Sequence, residues 1–455
     1  MSNGLYGGLC VSVSLPEGAE QPWVRELLHA LDQVPGLQRT GFDAQPLDVF
    51  LRLGPDVALS QSPKYGVWTL QLINRGRYLR EAVVLQALSG RSRILERQML
   101  PVGLPVAESL AILASAVPKL CRLLLAGHPL PDEADKPLRG APARFWHPLS
   151  DQIHNTLLTE IWQVGVVQAP IHRFLDPDFR PQVEWIPNVR PHHFFADPFA
   201  VSMPEGLRII AEEYDYLLDP VGRICEFGWG NGDFLLPPQR VLPSATHMSY
   251  PFLFHFEGAL YCIPETWQQH RIRLHRWNPD ARTWDDGPVL IDGIAAIDST
   301  VIRHDGRWWL FCTEKGPGVD CRLLLWYADQ LDGPWSPHLA NPVKVDVRSA
   351  RPGGTPFVSG GALYRPAQDC SESYGCRLAI NRVAKLTPEE FSEEVVRVLT
   401  PLADWPCRDG WHTLSAAGAW TVIDAKRMSF LPEMARRRTV HKLQRIGQLA
   451  GGRKN

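Results

Sequence analysis

The pattern of apolar and polar positions divides the chain into two regions with different periodicities. In the first region, short apolar or alternating segments are interrupted by segments with apolar residues at helical spacing. The predicted strands cover residues 8–14, 47–54 and 65–74, and the predicted helices cover residues 23–34 and 104–126. Strands that alternate with helices are typical of an α/β unit. We therefore predict a small α/β domain over residues 1–135.

Residues 136–184 are predicted to connect this domain to the second region. The segment 129–142 is rich in Pro and charged residues, as linkers are. Residues 149–162 have a helical pattern, and the following residues, QVGVVQAPI, have the pattern of a strand.

The second region, residues 185–430, repeats one shape five times. Each repeat has a short polar start, an apolar strand, a turn with Gly and a second strand rich in aromatic residues. Equivalent starting positions are Asp197, Tyr250, Asp298, Gly354 and His412. They recur about every 50 residues, the length of a four-stranded propeller blade. The sequence therefore predicts a mainly β protein, with a five-bladed β-propeller after the α/β domain.

Composition and charge narrow the possible partners. The formal net charge is -2, which argues against a nucleic-acid-binding protein. The 16 Trp residues suit either sugar stacking or packing between blades, and both interpretations stay open. The nine Cys residues contain no CxxC pair, and the His residues have no metal-ligand spacing, so we expect no metal and no cofactor.

The chain ends suggest a location. The first residues lack the basic and apolar segments of a signal peptide, which predicts a cytoplasmic protein. Residues 431–455 are basic with helical periodicity. This tail is either a solvated terminal helix or a segment that docks on an acidic partner or, peripherally, on the anionic inner membrane.

The predicted propeller brings distant polar residues together. The inner strand of each blade lines the central channel, so the five starting positions converge at one mouth. Asp197 and Asp298 start two blades, and Glu265 and Glu314 end the returning strands of the second and third. Clustered carboxylates can accept a proton from an attacking hydroxyl and support positive charge on a sugar ring. These four are the candidate catalytic residues; the alternative is that each caps a turn.

Histidine, arginine and tyrosine side chains are predicted at the same end of the repeats. Arginine forks hold phosphate or carboxylate groups, which would suit a phosphorylated or acidic sugar. The candidate substrate-binding residues are His192, His193, His247, Tyr250, Arg351, Arg365 and His412.

Several motifs resemble a known family. FFADPF, HMSYPF, IPETW, AIDST and GGALYRPAQD are similar to the N-terminal-type domain of glucosamine inositolphosphorylceramide transferases and its homologues in bacterial polysaccharide loci. More distantly, residues 185–428 resemble the five-bladed propeller of family 43 and family 32 glycoside hydrolases. The first region resembles a degenerate formyltransferase-like domain, without the Asn, His and Asp set of that activity.

The hydrolase resemblance implies that Asp197 is a general base and that Asp298 tunes the acid and holds the sugar. It also implies a Glu acid at the start of the fourth blade, where this chain has Arg351 to Thr355 instead. A phosphate leaving group needs no strong acid. We therefore expect a glycosyltransferase of surface polysaccharide or glycolipid assembly, with a sugar donor and a carbohydrate acceptor. The alternatives are a hydrolase of furanosides and a non-catalytic sugar-binding module.

Overall fold

The computed structural model describes most of the chain. The described residues are 9–15, 21–41, 47–53, 59, 62–75, 78–131, 157–204, 206–230 and 232–440.

The first region is a six-stranded sheet covered by three helices. The strands are β1 (Leu9–Ser14), β2 (Leu37–Arg39), β3 (Val49–Arg52), β4 (Val67–Arg75), β5 (Leu79–Leu88) and β6 (Arg91–Pro101), and the helices are α1 (Pro22–Asp32), α2 (Val106–Ala114) and α3 (Ala116–Leu125). The strand order is β2-β1-β3-β4-β5-β6, with parallel pairs up to β4 and antiparallel pairs from β4 to β6. The sheet and helices enclose one apolar core.

The predicted segments of this region agree with the structure in part. β1, β3, β4 and α1 lie where strands and a helix are predicted, whereas the β5–β6 hairpin was not foreseen. The single predicted helix over residues 104–126 is two helices that meet at Ser115. Pro118 explains the break, because it has no N–H to donate to the carbonyl of Ala114 four residues earlier. The linker predicted at 129–142 lies almost entirely outside the described residues, as does the first part of the helix predicted at 149–162.

The second region is a five-bladed β-propeller, which confirms the predicted mainly β fold. Blade 1 contains β9 (His193–Met203), β10 (Gly206–Asp215), β11 (Asp219–Gly230) and β12 (Asp233–Arg240); blade 2 contains β13 (Ser249–Phe256), β14 (Ala259–Glu265), β15 (Arg271–Asn278) and β16 (Thr283–Asp292). Blade 3 contains β17 (Ala296–His304), β18 (Arg307–Glu314), β19 (Arg322–Ala328) and β20 (Ser336–Pro337), with β21 (Lys344–Val345) also paired to β19. Blade 4 contains β22 (Phe357–Ser359), β23 (Ala362–Asp369), β24 (Arg377–Leu386) and β25 (Phe391–Leu399).

Blade 5 closes the ring with strands from both ends of the propeller sequence. Its strands are β26 (Leu414–Ala417), β27 (Trp420–Phe430), β7 (Leu158–Val167) and β8 (Val183–Trp185), in that order. β27 pairs with β7 along its whole length, from Thr421 opposite Val167 to Phe430 opposite Leu158. The helix predicted at 149–162 is therefore wrong for residues 158–162, because pairing with a distant strand outweighs their local helical pattern. β7 and β8 also precede the predicted propeller start at residue 185.

The two regions pack against each other at blades 3 and 4. The core of the α/β region includes Cys321, Val347 and Cys370 of the propeller. The edge strand β6 continues this contact, since the Val347 N–H donates to the Met99 carbonyl at 2.9 Å. Buried Lys119 on α3 pairs with Glu96 at 3.2 Å.

The tail begins as a helix. Residues 432–440 are helical, and the rest of the predicted tail, 441–455, lies outside the described residues. Within the described ranges, no helix has the length and apolar character needed to cross a membrane.

The closure of blade 5 predicts that Gly165 on β7 tolerates no side chain. A Cβ there would lie 2.4 Å from Val183 Cγ1 and 2.9 Å from Trp185 Cε3. We expect Gly165→Ala to lower the free energy of unfolding by about 1–3 kcal/mol, as overpacking does. Urea unfolding measures this, with Gly103→Ala as control because a Cβ at Gly103 meets nothing within 4 Å. Equal stability of the two variants would contradict the proposed closure.

Candidate active site

Three blades start with an unusual backbone conformation at the predicted site positions. Asp197, Tyr250 and Asp298 have φ values of 50°, 43° and 52°. Each lies where the register between the first two strands of its blade shifts. Left-handed conformations of residues other than Gly cost about 1–3 kcal/mol and concentrate at functional sites. The bulges therefore give these three side chains a common, strained geometry at one end of the channel.

In blade 4, Gly354 provides the positive φ at the corresponding position. Its φ is 130°, and a Cβ there would lie 1.9 Å from the Leu414 carbonyl oxygen. The Gly354 N–H donates to the Tyr250 hydroxyl oxygen at 2.7 Å. Tyr250 is fully buried, so it joins blades 2 and 4 across the channel, and substrate contact is not its visible role.

A second set of polar residues lies beside the bulges, on the second strands of the blades. Glu212, Glu265 and Thr313 pair with the residues just before the bulges of their own blades. Gln368 and Asp424 occupy the corresponding positions of blades 4 and 5. All five are buried.

Two of these carboxylates fix the bulge of another blade. Asp424 of blade 5 accepts the Asp197 N–H at 3.0 Å, and Glu265 of blade 2 accepts the Asp298 N–H at 3.3 Å. A backbone N–H that a bulge removes from the strand ladder needs such a partner when it is buried. The same side chains that shape the site also hold neighbouring blades together.

Asp197 belongs to a chain of charged groups with His412 and Asp424. His412 Nε2 lies 3.4 Å from Asp197 Oδ1, and His412 Nδ1 lies 2.7 Å from Asp424 Oδ2. The Thr413 hydroxyl donates to Asp197 Oδ1 at 3.2 Å. Trp162 of β7 stacks on the imidazole, with ring centroids 3.7 Å apart. The imidazole is therefore fixed on both ring nitrogens and on one face.

Burial and charge shift the pKa values of this group. Burial raises the pKa of Asp197 to about 6; His412 opposes the rise, while Asp298 and Asp424 add to it. Burial alone would lower the pKa of His412, but the carboxylates of Asp424 and Asp197 outweigh it and raise that pKa. Asp197 can thus take up and release a proton close to neutral pH, beside an imidazole whose own pKa is raised.

Asp298 is held by a different set of donors. Arg351 Nε and Gln368 Nε2 donate to its Oδ2 at 2.6 and 2.7 Å. Arg351 also binds Asp320 through Nη1 at 2.7 Å and approaches the Tyr374 hydroxyl through Nη2 at 3.4 Å. Two carboxylates thus balance the one buried guanidinium.

The structure brings six of the eleven predicted site residues into this cluster. They are Asp197, Asp298, Glu265, Tyr250, Arg351 and His412. The coupling of Asp197 with Asp298 appears in the pKa of Asp197, which the charge of Asp298 raises. Residues a hundred positions apart in sequence therefore share one electrostatic environment.

Two of the predicted residues lie away from the cluster. The Glu314 side chain is 41% exposed and pairs with Arg322 at 3.5 Å, because strand alternation directs the neighbouring Thr313 inward instead. Arg365 is buried against Glu393 at 2.5 Å and donates to the Ser349 and Ala350 carbonyls, so it has a packing role inside blade 4. The predicted placement of these two residues is wrong.

The three remaining histidines lie on blade 1 or at the rim. His192 binds Asp215 at 2.8 Å, and His193 binds Glu213 at 3.0 Å. His247 lies 3.8 Å from Glu212 Oε1, and burial lowers its pKa. Of these, only His247 reaches a residue of the cluster.

Sequence reasoning missed Glu212, Gln368 and Asp424. The repeat that selected Glu265 contained the signal, since each of these polar residues lies on the second strand of its own blade. Asp424 also belongs to a candidate cation site: Asp197, His412 and Asp424 offer ligand atoms within 4.8 Å of one another. The sequence spacing gave no indication of it.

Known proteins are similar to part of this chain, and the matched family model begins after Asp197 and ends before Asp424. Residues 240–416 match the family model "Glucosamine inositolphosphorylceramide transferase 1, N-terminal". The predicted resemblance is confirmed.

A curated relative from Oryza sativa subsp. japonica, named glucosamine inositolphosphorylceramide transferase 1, is 37% identical over 256 residues, which are 52% of this chain and 34% of the relative. The Arabidopsis thaliana protein of that name is 31% identical over 212 residues, 45% of this chain and 27% of its own. The chain thus spans about a third of the length of these relatives.

Solved structures with a similar shape include two glycoside hydrolases. A thermostable family-43 glycoside hydrolase has a TM-score of 0.36 and 14% identity, covering 45% of this chain and 76% of its own. The β-xylosidase RS223 has a TM-score of 0.37 and 11% identity, covering 48% and 81%.

The raised pKa of His412 predicts a pH-dependent stability. A folded-state pKa above the unfolded value stabilises the fold below about pH 6.5, and this contribution disappears as pH rises through the folded pKa. We expect His412→Gln to reduce the melting temperature most at pH 5–6 and progressively less at higher pH. Thermal scans from pH 5 to 9 test this, and a reduction that is constant across the range would contradict it.

The buried Asp298–Arg351 pair predicts a second stability effect. Arg351→Met leaves the Asp298 carboxylate without its main donor, and we expect a loss of about 3–5 kcal/mol in the free energy of unfolding. Urea unfolding of Arg351→Met, Asp298→Asn and the double variant completes a mutant cycle. The double variant should recover part of the loss; strict additivity would show that the two residues do not interact.

Proposed function

We propose that the chain transfers a glycosyl group to a carbohydrate acceptor, as a glycosyltransferase of surface polysaccharide or glycolipid assembly. The observation that carries this proposal is the buried Asp197 carboxylate, with a pKa of about 6 on which the charges of the paired Asp298 and Arg351 act. The name of the plant relatives supports the reaction class. The proposed setting is the cytoplasm, with the basic tail as the contact with the inner membrane and no role for nucleic acid.

Asp197 is the proposed base. The acceptor hydroxyl loses its proton to Asp197 while its oxygen bonds to the anomeric carbon, and the bond from that carbon to the leaving group breaks. A base with a pKa near 6 remains largely ionised at pH 7 and still takes a proton effectively. Asp424 holds the His412 imidazole so that its charge lies beside Asp197. Asp298 supports the positive charge that develops on the sugar ring.

A phosphate-activated donor is the proposed substrate class for this reaction. Arg351 and Arg365 were expected to bind its phosphate, but both are already paired with carboxylates. The rim supplies another cation, Lys315, whose ammonium lies 5.2 Å from the ring centroid of Trp267. Its charge also lowers the pKa of nearby His247. Lys315 is the proposed phosphate contact.

Glycoside hydrolysis is the second candidate, and a specific observation favours it. Burial raises the pKa values of Glu212 and Glu265 well above the ordinary value, and neighbouring carboxylates add to the effect. A carboxyl that keeps its proton at neutral pH can protonate an alkoxide leaving group. Water would then replace the carbohydrate acceptor.

The proposal predicts that Asp197→Asn strongly slows glycosyl transfer. Incubation with a panel of nucleotide sugars and oligosaccharide acceptors should yield product with the unmodified protein, and product formation should fall by about 10²–10⁴ in Asp197→Asn. Mass spectrometry of the acceptor measures the transfer. Glu314→Gln is the matched control, since that carboxylate lies outside the cluster.

Three outcomes separate the candidates. Full activity of Asp197→Asn would remove Asp197 from the mechanism. Release of sugar from aryl furanosides, without transfer from nucleotide sugars, would establish the hydrolase instead. Sugar binding measured by calorimetry, with no turnover of any donor and no effect of Asp197→Asn, would indicate a binding module.

A further inference from the structure

Glu212 differs from the residues at the equivalent positions of the other blades. Asp424 and Glu265 accept bulge N–H groups, Thr313 donates to the Val319 carbonyl at 2.7 Å, and Gln368 donates to Asp298. Within the part of the chain that the structure describes, the Glu212 carboxyl makes no hydrogen bond. The nearest basic group, His247 Nε2, lies 3.8 Å away.

Burial and the negative charge around Glu212 both favour the protonated form of its carboxyl. The Glu212 residue is only 8% exposed, but its carboxyl oxygens are not completely enclosed. The charges that face it are the carboxylates of Asp197, Glu265, Asp298 and Asp424, and they add to burial in raising its pKa. The pKa of His247 is lowered, so this imidazole does not supply a compensating charge at neutral pH.

Glu265 is less suited to give up a proton. Its pKa is also raised, first by burial and then by Asp298, but it shares a hydrogen bond with the Asp298 carboxylate and accepts the Asp298 N–H. The proton of Glu265 is therefore held in its hydrogen bond with Asp298, the residue at the blade 3 bulge. The proton of Glu212 has no such acceptor among the described residues.

We propose that Glu212 is the proton donor of the site and replaces, from the second strand of blade 1, the acid that blade 4 lacks. This inference rests on the proposed glycosyl transfer and extends it to donors with an uncharged, poor leaving group. Glu212 gives its proton to the leaving oxygen as the bond to the anomeric carbon breaks. Asp197 takes a proton from the acceptor hydroxyl or from water. Afterwards the proton on Asp197 returns to Glu212 directly or through solvent, which balances the cycle.

The kinetic test compares donors that differ only in their need for an acid. The probes are 4-nitrophenyl and phenyl α-L-arabinofuranoside, because nitrophenolate leaves without protonation and phenolate leaves poorly. We expect Glu212→Gln to lose about 10²–10⁴ in rate on the phenyl donor and far less on the nitrophenyl donor. Glu314→Gln should behave like the unmodified protein on both. Equal losses on the two donors, or no loss, would overturn the proton-donor role.

A stability measurement tests the protonated state without any turnover. A carboxyl whose pKa is raised in the folded state destabilises the fold as pH rises from its unfolded value through its folded value. Glu212→Gln removes this effect, so its melting temperature should rise relative to the unmodified protein between pH 5 and pH 8. Glu314→Gln should show no such change.

The two measurements distinguish a failure of the Glu212 proposal from a failure of the proposed function. A Glu212→Gln difference that does not grow with pH would show that Glu212 holds no proton at neutral pH, and the inference would fall. Absence of turnover by the unmodified protein on these glycosides and on nucleotide sugars would overturn the proposed function, and with it the donor role, whatever the melting curves show.

Discussion

The site depends on hydrogen bonds that the bulged backbone of one blade donates to a carboxylate of another. Asp424 holds the Asp197 N–H, and Glu265 holds the Asp298 N–H. Without these acceptors the left-handed conformations would leave buried donors unpaired, and each bulge would relax toward a regular ladder. Because the acceptors are themselves acidic and buried, the interaction that shapes the site also sets its charge.

The buried carboxyls around the channel differ in whether a basic side chain lies beside them. Asp197 lies beside the His412 imidazole and Asp298 beside the Arg351 guanidinium, whereas no basic group of the described residues lies as close to Glu212 or Glu265. A cluster of this kind cannot ionise fully, since like charges at low dielectric raise each other's pKa values. The raised pKa values of Glu212 and Glu265 favour their protonated forms, while the pKa of Asp197 is about 6, and acid and base catalysis requires such a difference between carboxyls.

The α/β region contacts the chain segment that contains Arg351, and through it the charged cluster. Val347 bonds to the edge strand β6, and the Cys370 N–H donates to the Val347 carbonyl. Four residues after Val347, Arg351 binds Asp298. Gly318, in the loop that leads to Asp320, lies so close to α2 that a Cβ would be 2.9 Å from Ile112 Cδ1. The packing of the first region thus supports the segment of Arg351 and the loop of its partner Asp320. The boundary of this region at residue 135 remains a prediction.

The sequence by itself determined the repeat, and with it the propeller and the convergence of Asp197, Tyr250, Asp298, Gly354 and His412. It could do so because a strand, a Gly turn and a polar start are local patterns that recur at blade length. The tertiary structure alone decided the rest. β7 joins the last blade by pairing with residues more than 250 positions away, against its own helical pattern. Strand alternation separates Glu314 from Thr313, and burial beside carboxylates without a hydrogen-bond partner among the described residues distinguishes Glu212 from Glu265. These depend on which atoms surround a side chain in three dimensions, and a one-dimensional pattern does not contain that information.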